Sequence, residues 1–339
     1  MQAIKKIGIV GAGAWGTALA KHLAWKGLDV RLWAYEHDVV RAINTTHENP
    51  IFLKGVSLPR SVVATSSLTD TVEGCDGILF VVPSHVSRSV LQNLASSLSD
   101  PIPLITATKG IEEVTAKLMT QVMEDVLPPS MHQSIMALSG PSFAIELSTG
   151  QPTAVCLAGP DERLVRRFQS ALMTPAFRVY ADADLIGVQL GGALKNVMAL
   201  AAGVVDGLGL GLNARAALIT RGLAEIVRLG VSMGADPRTF YGLSGVGDLV
   251  LTCTGTLSRN YTVGVRLSKG EKLDTILGGM QAVAEGVRTA HAALVLAQRH
   301  GVEMPITEEI NAVLFKNKSC RKAVSDLMER DAKPEKEHP

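Results

Sequence analysis

Residues 5–20 read KKIGIVGAGAWGTALA. The run from Ile7 to Val10 is apolar and rich in β-branched side chains, as in a strand buried within a parallel sheet. Gly11, Gly13 and Gly16 follow at the spacing G-x-G-x-x-G, and residues 17–23 continue in helix formers. Strand, glycine turn and helix are the three parts of a dinucleotide-binding βαβ unit. There the first glycine makes the tight turn, the second lets the backbone approach a pyrophosphate, and the third lets helix and strand pack closely. The helix N-terminus offers unpaired N–H groups and a positive dipole end to the phosphates. A glycine triplet alone also fits an ordinary tight βα turn; the flanking strand and helix select the cofactor reading.

Working outward, strand and helix signals alternate. Residues 30–33 (VRLW) predict a second strand, and a helical pattern starts at Asp38. Residues 44–60 read as a loop, marked by Asn49-Pro50, Gly55 and Pro59, with a short strand at 62–64. Residues 77–82 (GILFVV) predict a strand that stops at Pro83, with Ser84 placed to cap the next helix. Residues 102–107, 134–138, 153–157 and 177–180 add further strands. This alternation implies a mainly parallel sheet with helices on both faces. Near Asp182 the character changes to long helical stretches. Asp182 or Asp184 is a candidate N-cap for a helix through Leu190, Ala193, Val197 and Leu200, and Asn213 for the next. The expected architecture is an α/β N-terminal Rossmann-like dinucleotide-binding domain over 1–185 and an all-α C-terminal substrate domain over 186–330. A polar tail over 331–339 is expected to fray.

A chain of 339 residues exceeds one ordinary α/β domain and fits two. A formal net charge of +1 gives no reason to expect nucleic acid or an anionic membrane as partner, so an anionic substrate must be held by a local cluster. Cys75, Cys156, Cys253 and Cys320 are widely spaced, which indicates neither a disulfide framework nor a zinc site and fits a reducing cytoplasm. A strand signal within a few residues of Met1 leaves no room for a signal peptide. The most apolar region, 185–219, is interrupted by Lys195, Asp206 and several glycines, so no membrane insertion is expected. His22, His47, His85 and His291 do not form a spaced ligand set, and no metal site is expected. Neither a G-x-S-x-G elbow nor a P-loop lysine is present.

Ligands of open α/β sheets bind outside the carboxyl ends of the strands. Those ends place residues 11–16, 33–36, 83–85, 108–110 and 140–142 as candidates. Lys109 directly follows a strand and suits either a phosphate or carbonyl contact or a solvated loop. An acid about 20 residues after the glycines bonds the ribose of NAD, whereas an arginine accommodates the 2′-phosphate of NADP. Glu36 is the nearest acid, with no strong NADP signal beside it, so the sequence leans to NAD. In the helical half, Lys195 sits in Gly191-Gly192-Ala193-Leu194-Lys195-Asn196. It is either a buried proton-exchanging group or a lysine that snorkels to water; the cost of a charge amid small apolar residues favours a role. Asp248, after Ser244-Gly245-Val246-Gly247, is either a partner for such a lysine or an N-cap. Ser258-Arg259-Asn260 reads as a phosphate cradle at a helix start or as a simple cap.

GAGAWGTALA, LFVVPSH, TATKGIE, LSGPSFAIE, GGALKNVMALAAG, GLSGVGDLVLTCTG, SRNYTVG and AEGV occur in this order across residues 7–307. Together they resemble the bacterial NAD(P)-dependent sn-glycerol-3-phosphate dehydrogenase family. The resemblance implies reversible hydride transfer between NAD(P)H and dihydroxyacetone phosphate, making sn-glycerol 3-phosphate for phospholipid synthesis, in a cytoplasmic homodimer. It implies Lys195 as the catalytic lysine, Lys109 near substrate and nicotinamide, and Asp248 beside the catalytic lysine. Ser258, Arg259 and Asn260 match the substrate-phosphate site, with Arg259 also near the cofactor, and Gly140 and Ser142 match substrate contacts. Cofactor contacts are implied at Gly11, Gly13, Ala14, Trp15, Gly16, Ala144, Val283 and Glu285, and at Tyr35 and Glu36. The last two depart from the arginine or histidine of many relatives, leaving NAD against NADP open. The competing readings are another two-domain hydroxy-acid or keto-acid dehydrogenase and a non-catalytic nicotinamide sensor.

Overall fold

The computed structural model describes residues 3–280, 284–332 and 334–335. The chain divides into two compact units, one of Met1–Lys109 with Lys117–Gln189 and one of Gly110–Ala116 with Leu190–Pro339.

The first unit runs β1 (Lys6–Val10), α1 (Ala14–Trp25), β2 (Asp29–Trp33), α2 (His37–Thr46), β3 (Glu48–Asn49), β4 (Leu53–Ser57), β5 (Val62–Thr65), α3 (Leu68–Val72), β6 (Gly77–Phe80) and α4 (Ser84–Ser96). It continues with β7 (Leu104–Thr106), α5 (Met119–Val126), β8 (Ile135–Ser139), α6 (Ala144–Ser148), β9 (Thr153–Ala158), α7 (Glu162–Leu172) and β10 (Phe177–Asp182). Eight strands form one sheet in the order β10-β9-β8-β7-β6-β1-β2-β5. Every neighbouring pair is parallel except β8 with β9. The chain grows outward from β1 through β2 to β5, then returns to β6 on the other side of β1. That reversal creates a crevice at the carboxyl ends of β1 and β6, where such sheets take their ligands. Ile7, Ile9 and Val10 on β1 and Ile78, Leu79 and Phe80 on β6 are at most 1% exposed, so both faces are covered. Each such side chain stabilises the fold by about 1.5–3 kcal/mol relative to exposure.

Three local expectations are corrected. Residues 44–60 are not a loop throughout: α2 reaches Thr46, and β3 and β4 pair antiparallel. The short strands and Pro50 hid any alternation. Ser84 does not cap α4; Pro83 occupies the N-cap position and Ser84 is the first helical residue. Asn213 does not cap its helix either, because α9 begins at Gly211 after a glycine turn with positive φ at Gly209 and Gly211.

The second unit is helical: α8 (Leu185–Gly207, which starts in the first unit), α9 (Gly211–Ser232), α10 (Asp248–Thr254), α11 (Arg259–Ser268), α12 (Leu273–Gly278), α13 (Glu285–Arg299), α14 (Pro305–Phe315) and α15 (Cys320–Met328). Asp184 caps α8, accepting the Gly187 N–H at 2.8 Å. By length and composition α8 is apolar enough to cross a bilayer, contrary to the reading of 185–219, but its most apolar stretch is wholly buried in the protein. Most of the tail expected to fray, Lys333 and residues 336–339, lies outside the described residues.

Candidate active site

The nucleotide end of the first unit is built from backbone. Gly11 has φ +118°, a conformation L side chains rarely adopt, and a Cβ there would lie 2.7 Å from the Val81 carbonyl oxygen. A Cβ at Gly16 would lie 1.9 Å from the Gly11 oxygen, so α1 sits hard against the turn. Over Gly13 a Cβ would meet nothing within 4 Å, leaving open space above the N-terminus of α1. The buried indole Nε1 of Trp15 has no hydrogen-bond partner among the described residues. An open cradle at a helix N-terminus and an unspent donor beside it fit a bound dinucleotide.

Asn49 pins this loop. It is fully buried, and its amide donates to the Ala12 carbonyl (2.8 Å) and the Thr17 hydroxyl (2.9 Å), while Thr17 also donates to Ala12 (3.1 Å). Sequence reading took Asn49-Pro50 for turn punctuation; its partners lie too far along the chain to be visible there. At the end of β2, Gly11 N–H donates to the Trp33 carbonyl (3.1 Å). Tyr35 follows, 79% exposed and tilted against the Trp33 ring at 6.4 Å. Glu36 is exposed at the N-cap of α2, with no side-chain cap bond.

Lys109, Gly140 and Ser142 come together. Lys109 Nζ donates to the Gly140 carbonyl (2.8 Å) and lies 3.2 Å from the Ser142 hydroxyl, which itself donates to Gly140 (2.8 Å). Lys109 is therefore half-buried and held, not a solvated loop lysine. The adjoining Ser139 hydroxyl is buried without a partner among the described residues. Ala144 opens α6.

In the second unit the site is made of buried side chains. Lys195 and Asp248 form an ion pair with side chains 9% and 0% exposed. Gly191 permits it, because a Cβ there would lie 2.3 Å from the Ser244 carbonyl. That close approach brings α8 against a π-type turn, Leu243–Gly247, that leads into α10. Such turns recur at functional sites. Asp248 is not an N-cap: Gly247 holds that position, and the carboxylate turns to Lys195. Thr252, one turn on, accepts from Lys195 Nζ (2.9 Å) and donates to the Asp248 carbonyl (2.6 Å). Its contribution was not visible in sequence, where it stood within the apolar run LVLTCT. Burial pushes the neighbouring Cys253 thiol up to about 12, so it stays protonated.

Ser258 is the N-cap of α11, accepting the Tyr261 N–H at 3.2 Å, as its position before the helix implies. Arg259 follows with its side chain in contact with solvent. Crowding presses its pKa down from the usual guanidinium value, and Glu285 at the start of α13 opposes that. Asn260 is buried and bridging: its amide donates to Asn196 (2.9 Å), and its carbonyl oxygen accepts the Gly286 N–H (2.9 Å). Asn196, next to the buried lysine, is thereby tied to the cradle; sequence reading passed over it. Val283 lies outside the described residues.

Known proteins match this arrangement along the whole chain. The family model for the NAD-dependent glycerol-3-phosphate dehydrogenase N-terminus matches residues 6–165, and that for the C-terminus matches residues 184–325. Glycerol-3-phosphate dehydrogenases [NAD(P)+] of Geobacter sulfurreducens and Geobacter metallireducens are each 54% identical over 98% of this chain and 99% of their own. The crystal structure of glycerol-3-phosphate dehydrogenase from Coxiella burnetii superposes with a TM-score of 0.92 at 38% identity, covering 96% of this chain and 99% of that one. The chain belongs to the NAD-dependent glycerol-3-phosphate dehydrogenase family.

Proposed function

We propose that the chain transfers a hydride reversibly between a reduced nicotinamide dinucleotide, NADH or NADPH, and C2 of dihydroxyacetone phosphate, giving sn-glycerol 3-phosphate for phospholipid synthesis. The observation that carries this reading is the buried Lys195–Asp248–Thr252 cluster in a chain of this family. Bound at the glycine loop, the nicotinamide supplies the hydride.

The chain's own residues supply the rest. As hydride reaches C2, charge builds on the ketone oxygen, and the Lys195 ammonium stabilises it and delivers the proton. Asp248 and Thr252 hold the ammonium in one orientation, and Asp248 balances its charge. Lys109 adds positive field, with Gly140 and Ser142 as substrate contacts. The phosphate is gripped by the α11 N-terminus, through Ser258, Arg259 and the second amide hydrogen of Asn260. That grip spends remote binding energy on orienting C2. Gly11, Gly13, Ala14, Trp15, Gly16, Tyr35, Glu36, Ala144, Val283 and Glu285 are assigned to the cofactor, with residues 1–185 as its domain and 186–330 as the catalytic one. A cytoplasmic homodimer is the setting proposed. The described cysteines are all unpaired, and burial holds the Cys75 and Cys156 thiols up at about 11 and 12, in keeping with a reducing compartment.

Oxidation of NADH or NADPH, followed spectrophotometrically with dihydroxyacetone phosphate and then with an unphosphorylated keto acid, tests the reading. Turnover with the phosphate ester alone is expected. Turnover only with the keto acid would point to the hydroxy-acid dehydrogenases, and none with either to a sensor.

A further inference from the structure

The first unit carries a second hollow, of about 750 Å³, at the opposite end of the sheet from the glycine loop. Ile4 and Leu28, which precede β1 and β2, line it together with Ala3, Lys26 and one face of α7. That face presents Arg163, Arg166, Arg167 and Ser170, at the i, i+3, i+4, i+7 spacing of a single helix stripe. Four cations thus rim a hollow whose floor is aliphatic, in a protein of formal net charge +1. Two acids face them. Glu162 pairs with Arg166 at 3.4 Å, and Asp76 acts on Arg167 while accepting the Lys5 and Lys6 N–H groups. Lys26 is fixed by donating to the Ser170 and Met173 carbonyls (2.5 and 2.7 Å). The buried Nε of Arg167 has no hydrogen-bond partner among the described residues.

From this pairing of aliphatic floor, cationic rim and unspent guanidinium donor we infer that the hollow binds a single-chain amphiphilic anion, an alkyl body ending in a phosphate or carboxylate. Its volume lies within the usual range for small-molecule sites, about 300–1,000 Å³. Guanidinium forks suit both head groups, and the arginine stems together with Ile4, Leu28 and Ala171 suit the alkyl part. The site is independent of the dehydrogenase reading, since none of its residues belongs to the proposed catalytic or cofactor set.

Dodecyl phosphate, titrated calorimetrically below its micelle concentration into the full chain, tests this. One saturable site is expected, weakened about tenfold by the Arg163→Gln/Arg167→Gln pair, the scale of losing a charge-assisted contact. Leu28→Glu, which places a carboxylate in the apolar wall, is expected to abolish it. Both variants are checked for an unchanged melting temperature, and the conservative Arg163→Gln alone is used if the pair does not fold. Equal binding by parent and variants would overturn the site. So would inorganic phosphate binding as tightly as dodecyl phosphate, which would mean a bare anion site. Binding only to phosphatidylglycerol vesicles, and not to the monomer, would overturn it in favour of a membrane contact.

Discussion

The two units build their sites from different materials. In the first, the cradle is backbone: Gly11 at positive φ, Gly16 against its oxygen, and open space over Gly13. In the second, the working groups are charged and polar side chains taken out of water, Lys195 and Asp248 above all. A backbone cradle binds a phosphate group that many substrates and cofactors share. A buried ion pair is costly to desolvate and strongly destabilising to break, so its retention calls for a task. The difference teaches where specificity resides: the nucleotide unit fixes the cofactor class, and the helical unit chooses the substrate and moves the proton.

Substitutions that damage one unit and spare the other test this division. The largest expected effect is that of Lys195→Ala, a loss in kcat of about two to four powers of ten, the range of general acid–base catalysis. Binding of NADH or NADPH, read by fluorescence titration, is expected to stay near the parent value. Removing one partner of the buried pair also costs about 3–5 kcal/mol of stability. The double variant Lys195→Ala/Asp248→Asn is therefore expected to regain stability without regaining turnover. Turnover near the parent value in either variant would break the comparison.

Arg259→Ala comes next. Loss of a charge-assisted contact to phosphate is worth about 1.5–3 kcal/mol, or roughly ten- to a hundredfold in KM for dihydroxyacetone phosphate. The KM for the cofactor is expected to change less. Equal changes in both would place Arg259 on the cofactor alone.

The smallest effect concerns Glu225 on α9, which sharpens the picture of the helical unit as one of buried polar groups. It accepts from the Ile306 N–H (2.6 Å), the Thr307 N–H (3.3 Å) and the Thr307 hydroxyl (3.1 Å) at the start of α14. Burial nonetheless raises its pKa to about 7. A carboxyl whose folded pKa is raised gives stability that is full below its unfolded value near 4.5 and lost as pH rises through 7. Between pH 5.5 and pH 7 the parent is expected to lose about 1.5 kcal/mol through this group. Denaturant titrations at the two pH values are expected to show a smaller loss for Glu225→Gln. An equal loss would remove Glu225 as the cause.

The same contrast governs what the sequence made legible. The glycine turn was readable because each glycine answers a local need within six residues. The strand order followed from alternation, although the antiparallel β8–β9 pair did not announce itself. Side-chain partnerships were harder. Lys195 and Asp248 lie 53 positions apart, and Asn49 lies 37 from Ala12, so burial and pairing emerge only on folding. Asp248 looked equally like a helix cap because both roles put an acid after glycines. Thr252 and Asn196 were missed because a hydroxyl or amide within an apolar helix gives no periodic signal. The Ser258 cap was legible because capping is local.

The central claim is that this chain delivers hydride to C2 of dihydroxyacetone phosphate. Incubation with nicotinamide deuterated at C4 on the transferred face, followed by mass spectrometry and NMR of the product, tests it most directly. The expected result is sn-glycerol 3-phosphate carrying deuterium at C2. Deuterium retained on the nicotinamide, or product without label at C2, would contradict the account.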